Sequence, residues 1–348
     1  MAYTTINKST DYFNTKLYTG NGGTQSITGV GFQPDWTILK GRNGTNSHNV
    51  YDAVRGAGKT ITTDANYAES TDTARLTSFD SDGFSLGSNN NVNQNSINFV
   101  SWNWKANGQG SSNTDGSINT TYTSVNTTAG FSISKYNGTG SGATVGHGLN
   151  ATPKIILWKR LDSNDGDVNW IVQSPLLDNR NKLVLNTTEA KSYNSSFANV
   201  DNWSNSVFTL GTYEGQNDSN GTYVAYAFAE KPGYSKFGTY TGNGNADGTF
   251  VYTGMKVSWV MIKNTEGTDN WNIYDNKRLG YNTNYSFLIA NESNTENTTT
   301  STANLDILSN GFKVRASTGH LNTSGNKYIY MAFGQSLVGS NNVPCTAR

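Results

Sequence analysis

Tyr18-Thr19-Gly20-Asn21-Gly22 recurs unchanged at Tyr240-Thr241-Gly242-Asn243-Gly244, and a looser copy, Tyr136-Asn137-Gly138-Thr139-Gly140, lies between them. An apolar run ending in Lys follows each Tyr by 22 or 23 residues: Trp36-Thr37-Ile38-Leu39-Lys40, Ile155-Ile156-Leu157-Trp158-Lys159 and Trp259-Val260-Met261-Ile262-Lys263. Further on come strands centred on Phe84, Phe208 and Phe312. A closing strand then opens at Phe99, Tyr223 and Tyr328 and carries Trp104, Phe228 and Phe333 five residues in. From the first copy to the second these landmarks shift by 118, 119, 124 and 124 residues; from the second to the third, by 104, 104, 104 and 105. Order and spacing kept together mark an internal repeat.

Alternation in Phe131-Ser132-Ile133-Ser134-Lys135-Tyr136 and in Tyr223-Val224-Ala225-Tyr226-Ala227-Phe228 has the period of two of a strand with one buried face. Asn43-Gly44, Asp82-Gly83, Asp165-Gly166 and Asn310-Gly311 suit tight hairpins, and a β-turn accounts for the repeated YTGNG. No window has sustained helical periodicity; 64–75 (DANYAESTDTAR) offers a helical turn or two. Seven or eight short strands per copy predict an all-β chain of three tandem β-sandwiches, jelly-roll or concanavalin-like. The expected boundaries are 1–107, a linker at 108–128, then 129–232, 233–340 and a tail at 341–348. The Gly, Ser, Asn and Thr around 106–128 suggest a loose tether for copy one, or else an ordered loop packed on the assembly. Lys231-Pro232-Gly233 makes the second junction tight, so copies two and three should be nearly rigid together.

Hydrophobic residues make up 34% of the 348 and charged residues only 14%; ordinary disorder pairs low hydrophobicity with high charge, so the chain reads as folded. Asn (48) and Gly (37) favour turns over helix, while 8 Trp and 19 Tyr supply burial that Leu and Ile do not. Lys plus Arg equals Asp plus Glu at 25 each, without the positive excess that phosphate contacts need, so nucleic acid is not an expected partner. The one cysteine, Cys345, leaves packing to hold the copies together. The start of the chain has no apolar leader and no later run approaches a membrane span, which implies synthesis in a cytoplasm and exit by lysis or a dedicated route.

Chemistry is sparse. His48, His147 and His320 occupy non-equivalent places without zinc spacing. Asp162-Ser163-Asn164-Asp165-Gly166-Asp167 resembles a calcium loop, but Gly falls fifth and no Glu stands twelfth, so a solvated hairpin is expected. A glycosidase needs two carboxylates facing one cleft. The only repeated carboxylate belongs to Tyr51-Asp52-Ala53-Val54-Arg55-Gly56 and Tyr274-Asp275-Asn276-Lys277-Arg278-Leu279-Gly280, where an Asp three residues before an Arg reads as a structural pair. Copy two departs there, with Trp170-Ile171-Val172-Gln173-Ser174-Pro175. No catalytic, cofactor or metal residue is expected. Rings at repeat-fixed positions belong to cores. Those beside variable polar loops, Trp170, Trp203, Trp271 and Tyr281, are the candidates for stacking on sugar.

Four stretches of copy one add a resemblance: Gly31-Phe32-Gln33-Pro34-Asp35-Trp36, Asn49-Val50-Tyr51-Asp52-Ala53-Val54-Arg55-Gly56, Leu76 through Gly87 (LTSFDSDGFSLG) and Val100-Ser101-Trp102-Asn103-Trp104-Lys105-Ala106. Copy one resembles a β-rich domain that recurs in virion and tail-fibre proteins of marine bacteriophages. The resemblance implies a virion setting and carries no catalytic residue. The function expected is that of a phage virion structural protein, a tail-fibre or spike component binding host polysaccharide or another envelope receptor, not an enzyme. The alternatives are a capsid decoration or tail-tip protein binding other virion proteins, and a glycan depolymerase. A homotrimer, a chain that mimics a trimer by itself and a monomer on an adaptor all stay open.

Overall fold

A computed structural model describes residues 4–162, 168–299, 303–317 and 319–338. The first unit supplies β1 (Phe13–Thr19), β2 (Gln25–Thr28), β3 (Trp36–Gly41), β4 (Asn49–Asp52), β5 (Lys59–Thr62), β6 (Ser70–Thr71), β7 (Leu76–Asp80), β8 (Gly83–Leu86) and β9 (Asn98–Trp104). The second supplies β10 (Tyr122–Asn126), β11 (Phe131–Asn137), β12 (Ala143–Gly146), β13 (Ile155–Arg160), β14 (Ile171–Gln173), β15 (Asn181–Val184), β16 (Ser192–Tyr193), β17 (Val207–Leu210) and β18 (Thr222–Phe228). The third supplies β19 (Ser235–Thr241), β20 (Phe250–Tyr252), β21 (Met255–Asn264), β22 (Asn272–Asp275), β23 (Leu288–Ile289), β24 (Leu305–Leu308), β25 (Gly311–Val314) and β26 (Lys327–Ser336). The chain is all-β, with antiparallel sheets throughout. Among the described residues only short helical turns break the pattern.

Each unit places its first long strand beside its last. The large sheets run β1-β9-β3-β4-β5-β6, β10-β11-β18-β13-β14-β15-β16 and β19-β26-β21-β22-β23. Small sheets β2-β8-β7, β12-β17 and β20-β25-β24 accompany them. The repeat landmarks share surroundings: Tyr18, Tyr136 and Tyr240 stack on Phe99, Tyr223 and Tyr328 with ring centroids 5.1, 5.5 and 4.9 Å apart.

The period of two sorts side chains into separate cores. In β3, Trp36 and Ile38 face one core and Leu39 another; β13 divides Ile155 and Leu157 from Ile156 and Trp158, and β21 divides Trp259 and Met261 from Val260 and Ile262. The outer clusters each join one large sheet to its small sheet. The inner cluster is common to all three large sheets. Trp36 meets Tyr226 at 4.9 Å, Phe228 meets Phe333 at 5.8 Å, and Trp104 meets Trp259 at 5.4 Å, edge to face, so the three joints close a ring. Large sheets buried on both faces read as near-continuous apolar runs, which explains Ile155-Ile156-Leu157-Trp158.

Three expectations change. Copy one is not loosely tethered, because its tryptophans fill the core it shares with copies two and three. Nor is 108–128 a free linker: β10 lies within it and pairs with β11, and Ile118 bridges Val145 beside the small sheet of the second unit. The Asp35 carboxylate anchors the start of this segment by accepting the amides of Ala106 (2.7 Å) and Gly108 (3.1 Å). Residues 64–75 form turns and the short β6, not helix, because Glu69 N docks on the Leu161 carbonyl of the second unit at 2.8 Å. The Asp165-Gly166 hairpin, the core of the calcium-like loop, the tail and Cys345 lie outside the described residues.

Candidate functional site

The Asp–Arg motif stands where units meet. β4 ends at Asp52, and the turn after it brings Arg55 back so that its backbone N (2.8 Å) and Nε (2.5 Å) both donate to the carboxylate. Tyr226 of the second unit donates its hydroxyl to Asp52 Oδ2 at 2.6 Å. Arg55 Nη2 donates to the Val50 carbonyl, and Nη1 to Glu69. β22 repeats the arrangement: Arg278 N (2.9 Å) and Nε (2.5 Å) donate to Asp275, and Trp102 of the first unit donates to Asp275 Oδ2 at 2.9 Å. Glu296 takes the place of Glu69 on Arg278. All four Asp and Arg side chains are fully buried. Burial alone would raise the Asp275 carboxyl; the Arg278 charge and the hydrogen bonds from Arg278 and Trp102 outweigh it and hold the group below its usual range. A saturated carboxylate sealed from water offers neither a base nor a nucleophile to a substrate. Tyr51 and Tyr274, one residue earlier, point into the outer cores.

Strand register makes Ser174 the second-unit equivalent of Asp52 and Asp275, and Met331 the third-unit equivalent of Trp102 and Tyr226. The unit that has no carboxylate therefore corresponds to the partner that has no donor. A buried Asp with an unpaired lone pair is costly, so the absence of the carboxylate suits the absence of the donor.

Lysines at the strand ends tie the same joints. Lys40 Nζ donates to the carbonyls of Gly41 (2.8 Å), Gly44 (3.3 Å) and, in the third unit, Ser293 (3.1 Å). Lys263 repeats this with Asn264 (2.6 Å), Gly267 (3.0 Å) and, in the second unit, Thr188 (3.2 Å). Burial brings both ammonium groups down to about 8.

Of the aromatic candidates, Trp170, Trp271 and Trp203 are buried and cannot meet a ligand. Trp170 Nε1 donates to the Thr62 carbonyl of the first unit at 2.7 Å, and Trp271 Nε1 to the Val184 carbonyl of the second at 3.0 Å. Each stands just before a sheet strand and reaches over the joint, so a ring beside a polar loop proves to be a core ring. Trp203 packs on Trp158 at 5.9 Å. Only Tyr281 is exposed, with its hydroxyl 3.4 Å from that of Tyr285. His48 holds the place of Trp170 and Trp271 in the first unit. It stacks on Trp102 beside an enclosed cavity of about 10 Å³ lined from all three units. Among the described residues no group of His, Cys, Asp and Glu is placed to hold a metal ion, and no helix is long and apolar enough to cross a membrane.

Sequence reasoning missed three asparagines. Asn93, Asn217 and Asn322, each five residues before the last strand of its unit, are buried and hold the YTGNG loops. Their side-chain carbonyls accept the amides of Asn21 (3.0 Å), Thr139 (2.8 Å) and Asn243 (2.9 Å). The loops dock so closely that a Cβ at Gly20, Gly138 or Gly242 would come within 2.1, 2.2 or 2.3 Å of a carbonyl oxygen. Shared spacing was the available signal.

It also missed a set of exposed rings. On the outer face of the third small sheet Phe250 and Tyr252 are 44% and 57% exposed. Pairing with the core positions Ile27, Val145 and Val251 fixes their equivalents as Ser26 and Thr28 in the first unit and Thr144 and Gly146 in the second. Lys313 and Asp306 share this outer face, where Lys313 pairs with Asp247 and Asp306 with Arg315.

No curated protein and no solved structure matches the sequence. Residues 8–336 match a family described as a domain of unknown function, DUF7483, and the match runs through all three units. The chain belongs to the DUF7483 family.

Proposed function

We propose that this chain is a structural protein of a bacteriophage virion, a tail-fibre or spike component made in the host cytoplasm and displayed outward to hold a host-surface polysaccharide. In this reading each large sheet and its small sheet make one β-sandwich of jelly-roll or concanavalin-like type. Three such sandwiches in tandem close on each other, so that one chain takes the place of a homotrimer. The virion setting is supported by the marine-phage motifs of copy one. The binding role is carried by one observation: Phe250 and Tyr252 stand in the open where the other units have Ser, Thr or Gly. A planar ring offers an apolar face to a sugar while amides and hydroxyls around it bond to the sugar hydroxyls. The buried, saturated Asp–Arg pairs favour a binder over a hydrolase.

Two measurements test this reading. Purified chain should be retained on envelope polysaccharide from bacteria that the phage infects, and the double variant F250A/Y252A should elute early. Antibody against the chain should label virion tails. Label on the capsid shell would instead make it a decoration protein, and new reducing ends released from the polysaccharide would make it a depolymerase.

A further inference from the structure

A second pocket lies on the first unit, beside β4 and β5, and none of the residues proposed above lines it. It encloses about 380 Å³, within the range of small-molecule sites, about 300–1,000 Å³. Tyr67, 75% exposed, forms one wall. Arg75, Asn91, Thr62 and Ser70 bring a guanidinium, an amide and two hydroxyls to the others. The guanidinium is fixed from behind: Arg75 Nη1 donates to Asn49 Oδ1 at 2.9 Å and Nε to Asp72 at 3.2 Å. Asn49 is itself buried and held through its Nδ2 by the carbonyls of Ser47 (2.8 Å) and Asn91 (3.3 Å). Polar groups locked by a second layer of hydrogen bonds are what a recognition site requires.

The second unit is apolar at the corresponding place. By strand register Ile171 stands at the position of Asn49, in an apolar cluster that also takes in Phe197 and Tyr213, whose rings lie 4.3 Å apart. The third unit keeps the buried amide as Asn272, held by the carbonyls of Asn270 (3.1 Å) and His320 (3.4 Å), while in the first unit Tyr67 and Arg75 add an exposed ring and a guanidinium beside it.

We propose that this pocket binds one neutral pyranose ring, stacked on Tyr67 and hydrogen-bonded by Asn91, Thr62, Ser70 and Arg75. Asp72 balances the Arg75 charge, so the pocket does not select for an acidic sugar. Amide and hydroxyl groups that both donate and accept suit the alternating roles of sugar hydroxyls. The proposal does not rest on the virion reading, since free sugars are its ligands.

The test is saturation-transfer NMR on the full chain carrying F250A/Y252A, which removes the other proposed sugar surface, with glucose, galactose, mannose and N-acetylglucosamine, and with glucuronate as the acidic comparison. At least one neutral sugar should receive saturation on one ring face. Tyr67→Ala, a change at an exposed side chain, should weaken that sugar's affinity by about tenfold with the fold intact by circular dichroism. Asn91→Leu should do likewise, and Tyr193→Ala, at an exposed ring of the second unit, should leave affinity unchanged. Transfer to none of the neutral sugars, preference for glucuronate, or transfer that survives Tyr67→Ala would each overturn the assignment.

Discussion

Trp102 of the first unit and Asp275 of the third, 173 residues apart, are joined by a 2.9 Å hydrogen bond in the interior of the molecule. Tyr226 and Asp52 make the matching bond between the second and first units at 2.6 Å. Each closes a buried Asp–Arg pair that only its neighbour can complete.

Removing Asp275 would strand the Arg278 guanidinium without its main counter-charge. Asp275→Ala should cost about 3–5 kcal/mol of stability. Tyr226→Phe, which leaves Asp52 one donor short, should cost about 1–3 kcal/mol. Urea unfolding of the two variants checks both. The triple change W102M/D275S/R278L copies Ser174 of the second unit and Met331 of the third and removes both buried charges, so it should be less destabilising than Asp275→Ala alone.

Because Trp36, Trp104, Phe228, Trp259 and Phe333 share one core, the chain should unfold in a single calorimetric transition rather than three. A fragment ending at 107 should expose Trp36 and Trp104, bind a hydrophobic dye and lack a cooperative melt. Separate transitions for the units, or a well-folded fragment, would contradict the shared core.

Acid should weaken the fold before the carboxylates titrate. Burial lowers His147 to about 4 and holds His48 well below its ordinary 6.5. The unfolded chain therefore takes up protons that the folded chain refuses. The contribution of the two histidines is full above pH 6.5 and falls as pH drops towards 4, by at most about 1.4 kcal/mol per pH unit for each. His147→Asn should flatten this slope in melts across pH 7 to 4.5.

Mild alkali should act in the opposite direction. With Lys40 and Lys263 at about 8, the folded chain releases protons that the unfolded chain keeps until about 10.4. Stability should rise as pH goes from 8 towards 10. It should fall beyond 10, where buried tyrosines such as Tyr51, raised to about 12, hold protons that the unfolded chain loses. Lys263→Met should remove part of the rise.

Much of this was legible in the sequence. The landmark spacing located the stacked Tyr18, Tyr136 and Tyr240, and the Asp-x-x-Arg motif located two buried pairs. The shared core was not read, although Ile155-Ile156-Leu157-Trp158 carried the signal: four apolar residues in a row need cover on both faces. Trp170 and Trp271 misled because a residue just ahead of a strand looks like loop, while the joint it covers lies on another part of the chain. Phe250 and Tyr252 escaped because alternation marks which residues share a face without saying which face is wet. Tyr67 sits in a stretch whose course is set by contact with the second unit, which no local pattern encodes.

The shared core also frees each unit to evolve alone. In an assembly of identical subunits one codon change appears at every symmetry-related place, so a gain at one site is repeated at the others whether or not it helps there. Three units fused in one gene escape that constraint. One can open a hollow beside Tyr67, another can seal the same spot with Phe197 and Tyr213, and the third can present Phe250 and Tyr252, while all three lean on the same interior. A small protein can thereby carry several distinct grips on one rigid body.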